Sequence, residues 1–413
     1  MTGIHSPRSD PHVARIDIEY PILESAREGG RFIQIIEGPR GAGKTTLLRR
    51  IASRLAGTGV IPPLVDLDRI CTSPMAFAQA FVSQVSGAAS PAHGAASPPG
   101  IARLKTQIAT ECARRRPDPA ALLELALSAP RIVASDTGRP AILLLDEAAE
   151  ITRLTHHAGL RDGLRLICRS LAAGPVSLIA AVSPASRPAP FLNLLAAEAG
   201  DRLRILKVPP LSEREVAQLA MARGCAPPRD PERSLWINAT HGHPLYVAAL
   251  SARVAAGEDI ATAMVTALTP PLGTLHQECR YDYHFLVERS RGHAVVRAIL
   301  DLLAREEGAN LTRVADHLRI ALPTALDYLS WLLEVGLARR DGAGYVITDP
   351  LLALWIRLNG PDPGDPFEAV VQFLEKPRVA PRPAARPRGR RPGATRLSSP
   401  VAQASREFRI EID

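Results

Sequence analysis

Gly38-Pro39-Arg40-Gly41-Ala42-Gly43-Lys44-Thr45 fills every fixed position of the pattern G-x-x-x-x-G-K-[ST]. Before it, Arg31 to Glu37 reads RFIQIIE, an apolar strand; after it, Thr46 to Leu55 reads TLLRRIASRL, the opening of an amphipathic helix. That strand, loop and helix context is what the motif requires. Gly38, Gly41 and Gly43 can take backbone angles closed to residues with a Cβ, so the loop can curl and aim successive N–H groups at phosphate oxygens. Lys44 supplies a mobile positive charge for the β and γ phosphates, Thr45 a hydroxyl for Mg²⁺, and the helix N-terminus a partial positive charge. The expected ligand is ATP with Mg²⁺, held by Gly38, Pro39, Arg40, Gly41, Ala42, Gly43, Lys44, Thr45 and Thr46.

A second stretch matches the first. Ala141 to Glu147 reads AILLLDE, a continuous apolar run ending in two acids, as expected of a strand buried on both faces whose tip lies at the carboxyl edge of a parallel sheet. Ligands bind at that edge. Asp146 would hold Mg²⁺, and Glu147 would polarise or deprotonate the attacking water; the structural alternative is an acidic pair capping the helix that follows. Val176 to Val182, VSLIAAV, makes a further strand, and Ser183 at its tip either senses the γ-phosphate or caps a loop. Together Glu147, Lys44 and Ser183 form the expected catalytic set.

The 413 residues exceed one ordinary core, and the five cysteines lie far apart with neither zinc-ligand nor disulfide-framework spacing. No apolar run reaches the length of a membrane span, and the first residues lack the apolar centre of a signal peptide, so a cytoplasmic protein without membrane association is expected. Net charge is +8, but residues 375–413 alone hold ten Lys or Arg against four Asp or Glu, +6 of that total. The folded body is therefore nearly neutral, and the basic stretch suits non-specific contact with nucleic acid or an acidic protein as well as simple solvation.

The order along the chain is a flexible N-terminus over 1–19, an α/β P-loop ATPase domain over 20–211, a helical lid over 212–290, a winged helix over 291–359 and a Pro/Arg-rich disordered tail over 360–413. Within the ATPase domain, SGAASPAHGAASPPG at 86–100 has nothing to bury and reads as a disordered insertion. Arg202 to Val208 alternates as a fifth strand, and Ser212 with Glu215 fits a capping box opening the lid. The lid is broken at Thr240-His241-Gly242-His243-Pro244, where His243 either reaches the nucleotide or caps its helix.

Three helical stretches follow at 293–304, 311–318 and 322–335. Gly336 to Ile347 then reads as strand, glycine turn and strand, a winged helix-turn-helix pattern. GPRGAGKTTLLRRIA, LLLDEAAE, AAVSPASRP, LKVPPLSEREV, THGHPLYVAAL and the closing DPLLALW together resemble the AAA-like, STAND-related ATPases known as archaeal-type ATPases. That resemblance spans roughly residues 20–358. It implies a parallel sheet in the order 5-1-4-3-2, a catalytic Glu following the Mg²⁺-binding Asp, and the domain order of origin-recognition proteins. Arg187, Arg202 and Arg204 lie near the edge where such proteins place an arginine finger.

The helix from Leu322 to Val335 contains no Arg, Lys, Asn or Gln to read base edges. The first expectation is therefore an ATP-hydrolysing switch of slow basal turnover that regulates a protein partner, with nucleotide-dependent self-association. The alternative is a DNA-associated ATPase that binds duplex through the winged helix and the basic tail.

Overall fold

The strand that leads into the phosphate loop and the strand that ends in Asp146 lie in one parallel sheet. β1 (Ile33–Glu37), β2 (Leu64–Asp66), β3 (Ile142–Asp146), β4 (Ser177–Val182) and β5 (Leu203–Lys207) are arranged in the order β2-β3-β4-β1-β5, which is the expected 5-1-4-3-2. In this computed structural model the described residues are 13, 15–89, 98–174, 176–227, 230–288, 290, 292–360 and 363–376. β1 lies between β4 and β5, with Glu37 opposite both Val182 and Lys207, and Asp146 lies opposite Asp66. The loop, the acidic pair and Ser183 therefore share the carboxyl edge.

Side chains of the central strands alternate between two apolar layers, which is why these strands read as unbroken apolar runs. Ile33, Ile35, Leu143, Leu145, Leu178 and Ala180 pack with Phe77 and Phe81 of the helix Pro74–Ala89 and with the helices around them. Ile36, Leu144, Ile179 and Ala181 pack on the other face, against Leu48 and Ile51 of the phosphate-loop helix Lys44–Ala56 and Ile22 of the first helix, Ile16–Arg27.

Ser212 and Glu215 form the reciprocal capping box that opens the lid. The lid helices are Glu213–Ala222, Asp230–Thr240, Pro244–Ala255 and Ile260–Leu268, and the helix Thr274–Glu288 leads on to the winged helix. That domain comprises the helices His293–Arg305, Leu311–Leu318 and Leu322–Glu334, then the antiparallel hairpin β6 (Ala338–Asp341) and β7 (Gly344–Ile347). The DPLLALW segment closes it for local reasons: Asp349 caps the helix Pro350–Leu358 by accepting from Leu351 N at 2.9 Å, and Trp355 packs edge-on against His276. Lid and winged helix share one apolar core, from Val216 and Leu250 through Leu275 to Leu300, Leu329 and Leu354. No helix among the described residues is long and apolar enough to cross a membrane.

Three segments expected to lack structure are partly helical. The first helix begins at Ile16, inside the stretch 1–19, because Ile18 and Ile22 can be buried against the sheet. At 86–100, one helix continues to Ala89 and the next starts at Pro99, leaving 90–97 outside the described residues. At 360–413, Pro366–Glu375 is a helix capped by Asp365 that buries Val370, Phe373 and Leu374 against the lid, and Asn238 donates to Leu374 O at 2.8 Å. Residues 377–413, with most of the basic charge, lie outside the described residues. The apolar residues at 367–374 allow such a short helix within the otherwise Pro/Arg-rich tail. Phe373→Ala should lower stability by about 3–5 kcal/mol in urea unfolding, the usual cost of a buried Phe truncation. A change below about 1 kcal/mol would show that the helix is not part of the lid core.

Candidate functional site

The loop and the lid enclose a cavity of about 430 Å³, lined by residues 40–47 and Glu147 on one side and by Leu211, Leu219 and Leu245 on the other. Its chemistry begins with unused donors. The backbone N–H groups of Gly41, Gly43, Lys44, Thr45 and Thr46 make no hydrogen bond to described residues. Gly43 is the N-cap of the helix at φ 89°, a conformation that glycine takes without strain, and Gly41 stands at φ 74°. A curled loop at a helix N-terminus with free amides is built for an anion.

Lys44 is 4 % exposed, and its ammonium donates to Pro39 O at 3.0 Å with Glu147 Oε1 at 3.7 Å. Burial lowers its pKa, and the Glu147 and Asp146 carboxylates oppose that shift. Burial raises the pKa of Glu147, with Lys44 opposing. Glu147 holds φ 46°, an uncommon conformation for a residue with a Cβ, and its side chain does not cap the helical turn that follows. The capping alternative is therefore not what this residue does. Asp146 is buried, and its Oδ1 accepts from Glu147 N at 3.1 Å.

Burial and the Asp146 carboxylate push Asp66 above the ordinary carboxylate range. Asp66 lies opposite Asp146 across β2 and β3, and these carboxylates with the Thr45 hydroxyl of the loop are the kind of oxygen donors that would fit Mg²⁺, with phosphate and water completing its octahedron.

Ser183, 4 % exposed, stands at the tip of β4, and its hydroxyl makes no hydrogen bond to described residues, so it does not cap the turn Pro184–Ser186. It faces an adjoining cavity of about 410 Å³ that Arg40, Glu147 and His243 also line. His243 does not cap its helix either. Its Nε2 lies 2.9 Å from Arg40 O, so Nε2 carries the proton, and its ring packs on Tyr246 at 4.2 Å. A Cβ on Gly41 would meet His243 Cε1 at 2.6 Å, so the lid touches the loop at a position open only to glycine. His243 therefore contacts the loop backbone rather than the first cavity.

Of the three edge arginines, Arg187 pairs with Glu334 of the winged helix at 2.9 and 3.1 Å, Arg202 bonds locally to Ala199 O, and Arg204 is exposed on β5.

A model of the AAA domain matches residues 27–184, and a model of the IclR helix-turn-helix domain matches 295–342. The chain joins an AAA-type P-loop ATPase domain to an IclR-type winged helix. Among solved structures it resembles the Walker-type ATPase PABY2304 of Pyrococcus abyssi, with 17 % identity and a TM-score of 0.62 over 85 % of this chain and 99 % of that one. It also resembles the ORC2 protein of Aeropyrum pernix, with 14 % identity and a TM-score of 0.50 over 89 % of this chain and 96 % of that one. No curated protein matches the sequence. At these identities the solved structures show the shared fold.

Sequence reasoning missed Val13, Arg15, Glu19, Arg50, Leu211, Leu219 and Leu245, which also line the first cavity. Arg15 donates to Pro209 O, and Glu19, 1 % exposed, accepts from Arg50 Nη2 at 3.1 Å. A buried, paired carboxylate at residue 19 has no local pattern; only the fold brings it beside residue 50.

Asp282 of the helix Thr274–Glu288 is pushed up to about 6 by burial, against the pull of Arg40. Its folded pKa is above its unfolded one, so between about pH 4 and 6 the folded state binds the extra proton. This group then favours folding less as pH rises through 6. A carboxyl titration followed by NMR should place Asp282 near 6, facing Arg40, Glu278 and Asp349; a midpoint near 4 would contradict its burial.

Proposed function

We propose that this protein is an ATP-hydrolysing switch in which the nucleotide lies between the AAA domain and the lid and sets the placement of the winged helix, which engages a protein partner. The observation that carries this reading is the shared core of lid and winged helix. A body of that size, gripping the AAA domain at the phosphate loop and at the tip of β4, must respond as a unit to what the loop binds. At the tip of β4, Gly336 approaches Pro184 and Arg187 pairs with Glu334.

In this reading the loop amides and Lys44 bind the β and γ phosphates, while Thr45 and Asp146 hold Mg²⁺. Glu147, beside Lys44, receives the proton of the attacking water, a role its raised pKa suits. Ser183 contributes a free hydroxyl on the γ-phosphate side. The apolar end of the cavity, at Val13, Leu219 and Leu245, takes the base. His243 supports the loop instead of touching nucleotide.

The recognition helix favours a protein partner. Leu322 and Leu326 are 48 % and 40 % exposed, and the helix offers no basic or amide side chain. The second reading, DNA binding, is favoured by the IclR-type match and by Arg339 and Arg340 on the hairpin, which could meet phosphates but could not specify sequence.

Lys44→Ala should weaken ATP binding at least about tenfold, the loss expected from a charge-assisted contact. Glu147→Gln should keep the affinity and lose turnover about 10²–10⁴-fold in phosphate release. Equal turnover in Glu147→Gln and the parent would remove Glu147 from the mechanism. Protein ending at Lys376 should enrich no motif from randomised duplex DNA; a motif lost on mutating Thr324 and Tyr328 would replace the partner reading with the DNA reading.

A further inference from the structure

We infer that Arg40 is a positioning residue that ties the phosphate loop to the helix Thr274–Glu288, so that nucleotide state reaches the lid and winged helix through this one side chain. The inference rests on the switch reading above and names the contact through which it acts.

Arg40 lies within the loop, yet its guanidinium is engaged by the lid body. Its Nη1 donates to Glu278 Oε2 at 2.8 Å and Asp282 Oδ1 at 2.9 Å, and its Cζ lies 4.4 Å from the centre of the Tyr281 ring. Residues 278, 281 and 282 recur at helical spacing, so one face of the helix presents two carboxylates and a ring to one arginine. The two carboxylates are about 30 % exposed and the Arg40 side chain 43 %, so the contact is partly solvated and gains from being shared between two acids and a ring rather than from burial. At its other end Arg40 is held by the lid again, through His243 Nε2 on its carbonyl at 2.9 Å.

What the loop binds must reach this contact. Lys44 now donates to Pro39 O, the carbonyl of the peptide bond that joins Pro39 to Arg40. An incoming phosphate competes for that ammonium, and once Lys44 turns to phosphate the peptide loses its partner. The guanidinium then carries the displacement into Glu278 and Asp282. That helix is the right recipient, because Leu275 and Cys279 are buried in the core that continues into the winged helix. Arginine suits the task better than lysine, since its planar group can bond two carboxylates while stacking on a ring.

The test is hydrogen exchange across residues 274–288 of the full chain, with ADP and with a non-hydrolysable ATP analogue, each at saturation. The parent protein should show an ATP-over-ADP difference, since coupled sites alter each other roughly 5–150-fold. E278Q/D282N, which leaves the loop sequence intact, should bind both nucleotides within about threefold of the parent and show less than about a third of that difference. A full difference in E278Q/D282N would overturn the role of Arg40 and leave the switch standing. No difference in the parent would instead sink the switch itself. Should the double variant fail to fold, Arg40→Lys keeps the charge and is measured in the same way: a diminished difference supports the inference, and an undiminished one overturns it.

Discussion

The Lys44 ammonium sits at 4 % exposure, with a carbonyl at 3.0 Å and a carboxylate at 3.7 Å. A buried charge is costly unless it is paired and hydrogen-bonded, and here the pairing is incomplete. The loop amides around it are donors without acceptors. An anion with several oxygens resolves both deficits together. The placement of the sheet follows from the same need: β1, between β4 and β5, aims the loop, while β4 beside it and β3 next to β4 bring Ser183, Asp146 and Glu147 to the edge where that anion would lie. The uncommon backbone of Glu147 holds its carboxylate toward Lys44 and away from the helix end it might have capped.

Apolar packing divides the chain in a way that domain names do not. The AAA domain has its own two layers, one on each face of the sheet, whereas lid and winged helix share one continuous core. The terminal helix Pro366–Glu375 adds to that core by folding back on the lid. Among the described residues the polar contacts between the two bodies are His243 and Arg40 at the loop and Arg187 on Glu334, beside local apolar packing of Val13 and Ala185 on the lid and winged-helix core. Polar contacts of this kind can be remade at modest cost, while a shared core cannot. Relative movement is therefore favoured at the nucleotide cavity and disfavoured between lid and winged helix.

The sheet order followed only from the family resemblance that the motifs carry, while the sequence made the phosphate loop and the AILLLDE strand legible because each is written in consecutive residues. The capping box at Ser212 and the winged-helix pattern were legible for the same reason. Pairings across about two hundred residues were not. Nothing near Arg40 announces Glu278 and Asp282, and His243 could only be read as a cap or a nucleotide contact because its partner is a backbone carbonyl. Segment 86–100 misled at both ends, since small residues and proline conceal helix termini that Val85 and Ile101 anchor in the core. The stretch 1–19 hides the start of the first helix at Ile16, because Asp17 and Glu19 look solvent-facing until Arg50 is seen to bury Glu19.

The most direct measurement of the central claim is the distance between the AAA domain and the winged helix in each nucleotide state. Spin labels at the exposed positions Arg204 and Ser330, with Cys112→Ser to limit background labelling, report it by pulsed electron resonance. Glu147→Gln in that background holds ATP without turnover. The account predicts one distance distribution with ADP and a displaced one with ATP, while a second label pair within lid and winged helix, at Glu213 and Ser330, keeps its separation. A single distribution for the first pair in every nucleotide state would contradict it.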